Sequence, residues 1–217
     1  AANADAWRSY VDHAFVRGLG DGSLPRSAYL AYLRQDYLFL VHFARAWALV
    51  VVKSGRIDEM REAAATVSAL IDAEMRLHVE TCAAEGLSED MLAATEEAAE
   101  TLAYTRFVMD AGLSGDILDL LAALAPCVFG YGEIGAELAQ SRAPETPYAG
   151  WIDTYAGADY QQVCCDVGAL FETVVARRIG DAPETSPRWP ELIATFNAAT
   201  RLEADFWAMG LRLGGDG

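Results

Sequence analysis

The segment Leu124-Ala-Pro-Cys-Val-Phe-Gly-Tyr-Gly-Glu-Ile-Gly135 admits two readings, and they lead to different folds. Gly130-Tyr-Gly-Glu-Ile-Gly135 has the GxGxxG spacing of a dinucleotide-binding turn, with Asp153 further along as an acidic partner. That fingerprint needs a strand before it and a βαβ unit around it. The chain shows no such alternation, and the residues leading into the glycines form an apolar run rich in Ala and Leu. The segment therefore reads as helix. Pro126 removes one backbone hydrogen bond and presses on the carbonyl of Ala122, so a kink or loosening is expected just before Cys127. Each of the three glycines costs about 1 kcal/mol relative to Ala in a helix interior. Close backbone packing or a ligand must compensate. With Tyr131 one turn beyond the Cys127 thiol on the same face, the run has the character of a pocket wall.

Composition agrees with the helical reading. The 217 residues are 53% hydrophobic, enough for one sizeable core, and one domain over residues 1–217 is expected. Ala and Leu are abundant, and long Val/Ile/Thr runs with period-two alternation are missing, so the expected fold class is all-α. A formal net charge of −16 with no Lys/Arg cluster argues against nucleic acid or an anionic membrane surface as partner. Cysteines at 82, 127, 164 and 165 make no CxxC pair. No signal-peptide pattern and no apolar stretch long enough to span a bilayer stands out, so free thiols in a reduced, cytoplasmic setting are expected. Cys164 and Cys165 are adjacent and point in different directions on a helix, which gives them no shared role.

Start and stop signals divide the chain into seven or eight helices. The first is expected from Asn3 to Arg17, before the turn Gly18-Leu-Gly-Asp-Gly22, and the second from Ser23-Leu-Pro25 to about Lys53. The third covers Ile57 to about Ala84, and the fourth opens at Ser88-Glu-Asp90 and ends near Gly112. Ser114, followed by Asp116, caps the helix that carries Cys127. After the loop Ala143-Pro-Glu-Thr-Pro147 come a short helix from Tyr148 to Tyr155 and another from Asp159 to Arg178. Ser186-Pro187 opens the last, which ends near Gly210.

Several polar groups interrupt apolar stripes. Asp36 shares a helical face with Phe39, Leu40, Phe43 and Trp47, so its carboxylate must find a donor in the protein or in a ligand. Glu203 sits among Phe196, Ala199, Thr200, Phe206, Trp207 and Gly210, surroundings that favour a neutral carboxyl and suit a general acid. Tyr104 lies on the stripe of Thr101, Phe107, Val108 and Ala111, and Tyr155 closes a short aromatic segment with Trp151. Glu74 and His78, four residues apart, with His13 and His42 elsewhere, invite a metal or haem reading. Di-iron bundles need two Glu-x-x-His elements, which three histidines at these spacings do not supply.

Taken together, these residues resemble the TenA/thiaminase II family of aminopyrimidine aminohydrolases. The resemblance runs from Phe15-Val-x-x-Leu-Gly-Asp-Gly-Ser-Leu-Pro25 to Glu203-x-x-Phe-Trp-x-Met209. Between them stand Tyr32-Leu-Arg-Gln-Asp-Tyr37 with His42-Phe43, Asp72-Ala-Glu-Met-x-Leu-His78, Pro126-Cys127 and Trp151-Ile-x-Thr-Tyr155. It implies a heme-oxygenase-like bundle assembled as a homotetramer, with Cys127 as nucleophile, Glu203 as acid/base and Asp36 as the pyrimidine-binding carboxylate. Phe39, Tyr104, Tyr131 and Tyr155 would line the pocket, Phe39 standing where some members carry a tyrosine. The implied reaction is hydrolysis of 4-amino-5-aminomethyl-2-methylpyrimidine to the hydroxymethyl compound and ammonia, with slower cleavage of thiamin and no metal or cofactor. A non-catalytic pyrimidine-binding or regulatory protein, and an oxidative member using haem or iron through His13 or Glu74 and His78, are the alternatives. On this reading the glycines of the Cys127 helix leave room for a flat ring.

Overall fold

Asp116 starts the helix that the opening segment belongs to. Its carboxylate accepts from Leu118 N, Asp119 answers by accepting from Asp116 N, and this reciprocal capping box satisfies the first exposed donors of the turn. The helix then runs from Ile117 to Ser141, uninterrupted through Pro126. Ser114 is not part of the cap: it ends the preceding helix, and its hydroxyl donates to Asp110.

The protein, seen in a computed structural model describing residues 4–215, has no strand among those residues. In chain order its helices are α1 (Ala4–Val11), α2 (Ala14–Asp21), α3 (Arg26–Lys53), α4 (Ile57–Ala69), α5 (Met75–Ala84) and α6 (Glu89–Ala93). They continue with α7 (Ala99–Ser114), α8 (Ile117–Ser141), α9 (Ala149–Ala156), α10 (Ala158–Ile179) and α11 (Trp189–Gly215).

The all-α expectation holds, and the helix count is higher than expected for identifiable reasons. Asn3, the expected first residue, lies outside the described residues. The first expected helix divides because His13 turns to extended backbone and caps α2, its Nδ1 accepting from Phe15 N. The fourth divides because Gln35 of α3 takes over the backbone of the intervening loop. Its amide donates to Glu96 O and accepts from Ala98 N and Thr101 Oγ1. The third runs on through a single π turn, Leu70–Glu74, joining α4 to α5. Gly210 does not stop α11, which continues to Gly215; a Cβ at Gly210 would meet the Phe15 ring, so that glycine serves packing.

Around the central α3, α8 and α11 the other helices are arranged in layers. α1 lies on α11, α7 touches α3, α8 and α11, the α4–α5 arm leans on α3, and α9 and α10 cover α8. Trp207 of α11 anchors the centre, stacked on Phe15 at 4.9 Å between ring centroids and touching Tyr10, Tyr32, Tyr131 and Trp151. Length and hydropathy alone would let α3 and α8 cross a bilayer, contrary to the expectation that no stretch is long enough. In α8 the apolar window is 83% buried inside the protein, which accounts for its composition as core.

The three glycines of α8 have three separate uses. The Tyr10 ring of α1 fills the space a side chain at Gly130 would take, and the Cys164 sulfur of α10 lies 2.7 Å from a Cβ built on Gly132. At Gly135 the obstruction is the backbone of Tyr155, 2.5 Å away. They are notches that let α1, α9 and α10 approach α8, and the expectation that they make room for a ring beside Cys127 is corrected accordingly. Gly150, by contrast, has nothing within 4 Å of its Cβ direction. Gly135→Ala is therefore expected to destabilise by about 1–3 kcal/mol despite its better helix propensity, because backbone cannot yield. Gly150→Ala should be neutral or stabilise by up to about 1 kcal/mol, both read from urea denaturation midpoints.

Candidate active site

A cavity of about 540 Å³ opens between α3, the α4–α5 arm, α8, α9 and α10. Its wall contains Asp36 and Phe39 from α3, Glu74 and His78 from the arm, Cys127 and Tyr131 from α8, Tyr155 from α9 and Tyr160 from α10. Of the seven residues singled out in the sequence, five are on this wall. Tyr104 and Glu203 are not: they stand behind Cys127, in the layer where α7 and α11 meet α8.

That second layer is a sealed cluster of proton carriers. Tyr104 donates to Glu203 Oε1 at 2.8 Å, both groups being essentially inaccessible. The Cys127 thiol and the Tyr10 hydroxyl both lean toward the same carboxyl. Burial pushes the Glu203 carboxyl up to about 8, against the opposing pull of the Tyr104 bond. Burial, and then the Glu203 charge, push the Cys127 thiol well above its usual range. A thiolate is thus not preformed here. If Cys127 reacts, it needs a base, and Glu203 is the carboxyl within its reach.

On the cavity wall Asp36 is 3% exposed and held by a relay. Trp151 Nε1 donates to the Tyr32 hydroxyl at 3.2 Å, and Tyr32 donates to Asp36 Oδ2 at 3.1 Å. His78 Nδ1 lies 3.4 Å from the same oxygen. His78 Nε2 faces Leu33 O at 2.9 Å, and a carbonyl only accepts, so Nε2 carries the proton and Nδ1 presents a lone pair. Burial lowers His78 to about 4 and raises Asp36 to about 7, so the proton between them resides on the carboxyl. Both His78 nitrogens are engaged, as is His13 Nδ1 in its cap, and no cluster of three potential metal ligands occurs among the described residues.

Sequence reasoning set Glu74 and His78 aside with the metal reading and did not single out Tyr32 or Tyr160. The signal for Glu74 and His78 was their spacing of four, which the π turn aims into the cavity. Tyr160 forms an edge-on pair with Tyr155 at 4.8 Å and had no periodic neighbour to mark it. Phe39 lies against Phe43, Tyr104 and Phe206, so its ring is retained as cavity lining and packing surface.

An all-helical protein enclosing one apolar cavity, with a thiol, phenols and protonated carboxyls around it, has the makings of a small-molecule enzyme or receptor. The chain belongs to the TENA/THI-4/PQQC family, whose family model matches residues 1–213. A crystal structure from Silicibacter sp., described as a TenA family transcription regulator, is 57% identical with TM-score 0.95 over 97% of this chain and 93% of that one. An uncharacterised protein of Haemophilus influenzae is 39% identical over 95% of this chain and 94% of its own length. An aminopyrimidine aminohydrolase of Halalkalibacterium halodurans is 34% identical over 94% of this chain and 89% of its own. The fold is the heme-oxygenase-like one, shared at TM-score 0.64 and 15% identity with a domain from Shewanella denitrificans over 99% of this chain and 88% of that one.

These protonation states set the direction of the pH dependence of stability. Asp36, Glu74 and Glu203 are raised to about 7, 8 and 8, so the native state binds more protons than the unfolded chain between about pH 4 and 8. Stability from these groups is fully present below the unfolded carboxyl range and is lost as pH rises through 7 and 8. His78, lowered to about 4, acts oppositely, losing stability as pH falls from its unfolded value toward 4. Three groups outweigh one, so urea midpoints should fall from pH 6 to pH 9, and Glu203→Gln should flatten that fall.

Proposed function

We propose that the protein is an aminopyrimidine aminohydrolase of the thiaminase II type. It would hydrolyse 4-amino-5-aminomethyl-2-methylpyrimidine to the hydroxymethyl compound and ammonia, and thiamin more slowly. The observation that carries this reading is a thiol on the cavity wall with a buried carboxyl close behind it and a second buried carboxyl, Asp36, on the same wall. The name of the Halalkalibacterium halodurans relative supports it. Cytoplasmic location and a homotetramer belong to the same proposal.

In the mechanism, Asp36 holds the amidine-like edge of the ring, Oδ1 accepting from the 4-amino group while Oδ2 stays with Tyr32 and His78. Cys127 adds to ring C6 in the fraction of molecules in which Glu203 is ionised, a fraction that grows as pH rises toward 8: the S–C bond forms, the thiol proton passes to the Glu203 carboxylate, and the ring electrons move toward C5. Those electrons expel the amine from the 5-methylene, the C–N bond breaking with its electron pair on nitrogen. Water adds to the exocyclic methylene that remains, and the S–C bond breaks to restore aromaticity and the thiol. Substrate and water enter and product and ammonia leave, with the enzyme regenerated. Tyr131 and Tyr155, whose rings lie 4.9 Å apart, supply the aromatic flank for the ring.

A second reading, a pyrimidine-binding regulator, is favoured by the description of the Silicibacter structure. The net charge of −16 argues against direct DNA contact in that role.

The test is release of ammonia and hydroxymethylpyrimidine from the aminomethyl substrate. Cys127→Ser should lower kcat by about 100-fold or more, and Glu203→Gln by about 10²–10⁴-fold with loss of the rising limb of the kcat/KM pH profile. Undiminished turnover in Cys127→Ser would remove the covalent mechanism. Tight binding without turnover in the wild type would favour the regulator.

A further inference from the structure

Glu74 has no part in the mechanism above, yet it is a cavity-facing acid without a partner. It lies at the last position of the π turn, enclosed by protein and reached by solvent from the cavity side. No hydrogen bond or cation compensates it among the described residues; the influences on its carboxyl are burial and the charge of Asp36, both raising it. The other carboxyls of the wall are accounted for. Asp36 has Tyr32 and His78, Asp153 is paired with Arg142, and Asp159 is exposed. The wall contains no Lys or Arg. An enclosed carboxyl left without a donor costs several kcal/mol if it ionises, and a ligand that brings a positive charge removes that cost.

The arrangement also has a direction. Asp36 and Cys127 come from α3 and α8, and a ring held between them has its edge on one and its C6 on the other. C5 lies between the amidine carbon and C6, so the 5-substituent leaves the ring between the Asp36 and Cys127 sides, and Glu74 on the π-turn arm is near enough to act on both of those groups through space. We propose that Glu74 is the cation subsite of the cavity, pairing with the positively charged group carried on the 5-methylene of the substrate, an ammonium or a quaternary nitrogen. This rests on the aminopyrimidine reading of the site and adds to it a rule of selection. Cationic substrates are held, the neutral hydroxymethyl product loses the ion pair and is released, and phosphorylated pyrimidines are repelled by a wall with acids and no base. The charge also sets the form in which the amine departs. As the C–N bond breaks, the ammonium leaves as neutral ammonia with the bonding electrons, and no proton has to be delivered to it.

The experiment compares wild type, Glu74→Gln and Glu74→Asp at pH 7 on three ligands. These are the aminomethylpyrimidine, the hydroxymethylpyrimidine and the phosphate ester of the latter. Affinity is read as KM where the ligand turns over and as an inhibition constant where it does not, with melting curves to establish folding. Glu74→Gln should weaken the cationic ligand by about 10- to 100-fold. The neutral one should stay within about twofold, the phosphate ester should bind better, and Glu74→Asp should recover part of the preference for the cation. Equal losses for cationic and neutral ligands, or an unchanged KM for the cation, would overturn the subsite while leaving the aminohydrolase reading in place. If Glu74→Gln does not fold, Glu74→Asp carries the test: a cation-to-neutral affinity ratio no lower than wild type overturns the subsite. Wild-type protein that engages none of the three pyrimidines overturns both.

Discussion

Burying a carboxyl away from water without a cation is the constraint from which the rest of this structure follows. Glu203 and Asp36 are enclosed and Glu74 is half-buried on the cavity side, and among the described residues no Lys or Arg pairs with any of them. Each is tolerated because it keeps its proton, and Glu203 and Asp36 also because phenols donate to them. That requirement explains why Tyr104 and Tyr32 are fully buried polar rings. It also explains why α7, α8 and α11 converge where they do. The thiol of Cys127 shares the same low-dielectric environment, so its reactivity depends on its neighbour and not on a preformed charge.

The two layers divide the work of the site. On the proposed reading the cavity wall recognises the ligand through Asp36, the aromatic rings and the arm, while the layer behind it, where Tyr104 bonds Glu203, holds and moves protons. Cys127 is the residue that belongs to both. The Tyr104–Glu203 bond ties α7 to α11 behind α8, and the Asp36 relay ties α3 to α9 and α5, so moving any of these helices strands a buried polar group. Activity and stability therefore draw on the same contacts.

Much of this was legible in the sequence, and the parts that were not have physical causes. The all-α class followed from composition and from rejecting the GxGxxG reading of Gly130 to Gly135, and the ends of α3 followed from the turn and breaker residues that flank it. Asp36 and Glu203 stood out because a charged type on an aromatic stripe is an anomaly that periodicity exposes. The burial of both agrees with that reading, and their chemical roles stay with the proposal. What periodicity does not contain is depth: it gave no sign that Glu203 and Tyr104 lie behind the wall while Tyr131 lies on it. Nor does it contain tertiary rescue, such as His13 capping α2 or Gln35 holding open the loop before α7. The three glycines of α8 were misread because a missing side chain marks close approach without saying what approaches.

The π turn at Leu70–Glu74 can be read as one residue more than a regular helix needs. At about 100° per residue, that single insertion rotates everything after it. Ile71 is left on the outside, 56% exposed, while Glu74 and His78 turn inward. A relative that lacked the extra residue would keep the same helix and the same amino-acid types, yet present a different face to the cavity. Aligning residues by chemistry alone would match its acid to Glu74 without matching its position. Which side chains this arm presents to the cavity is therefore encoded in the length of the segment as much as in its residue types.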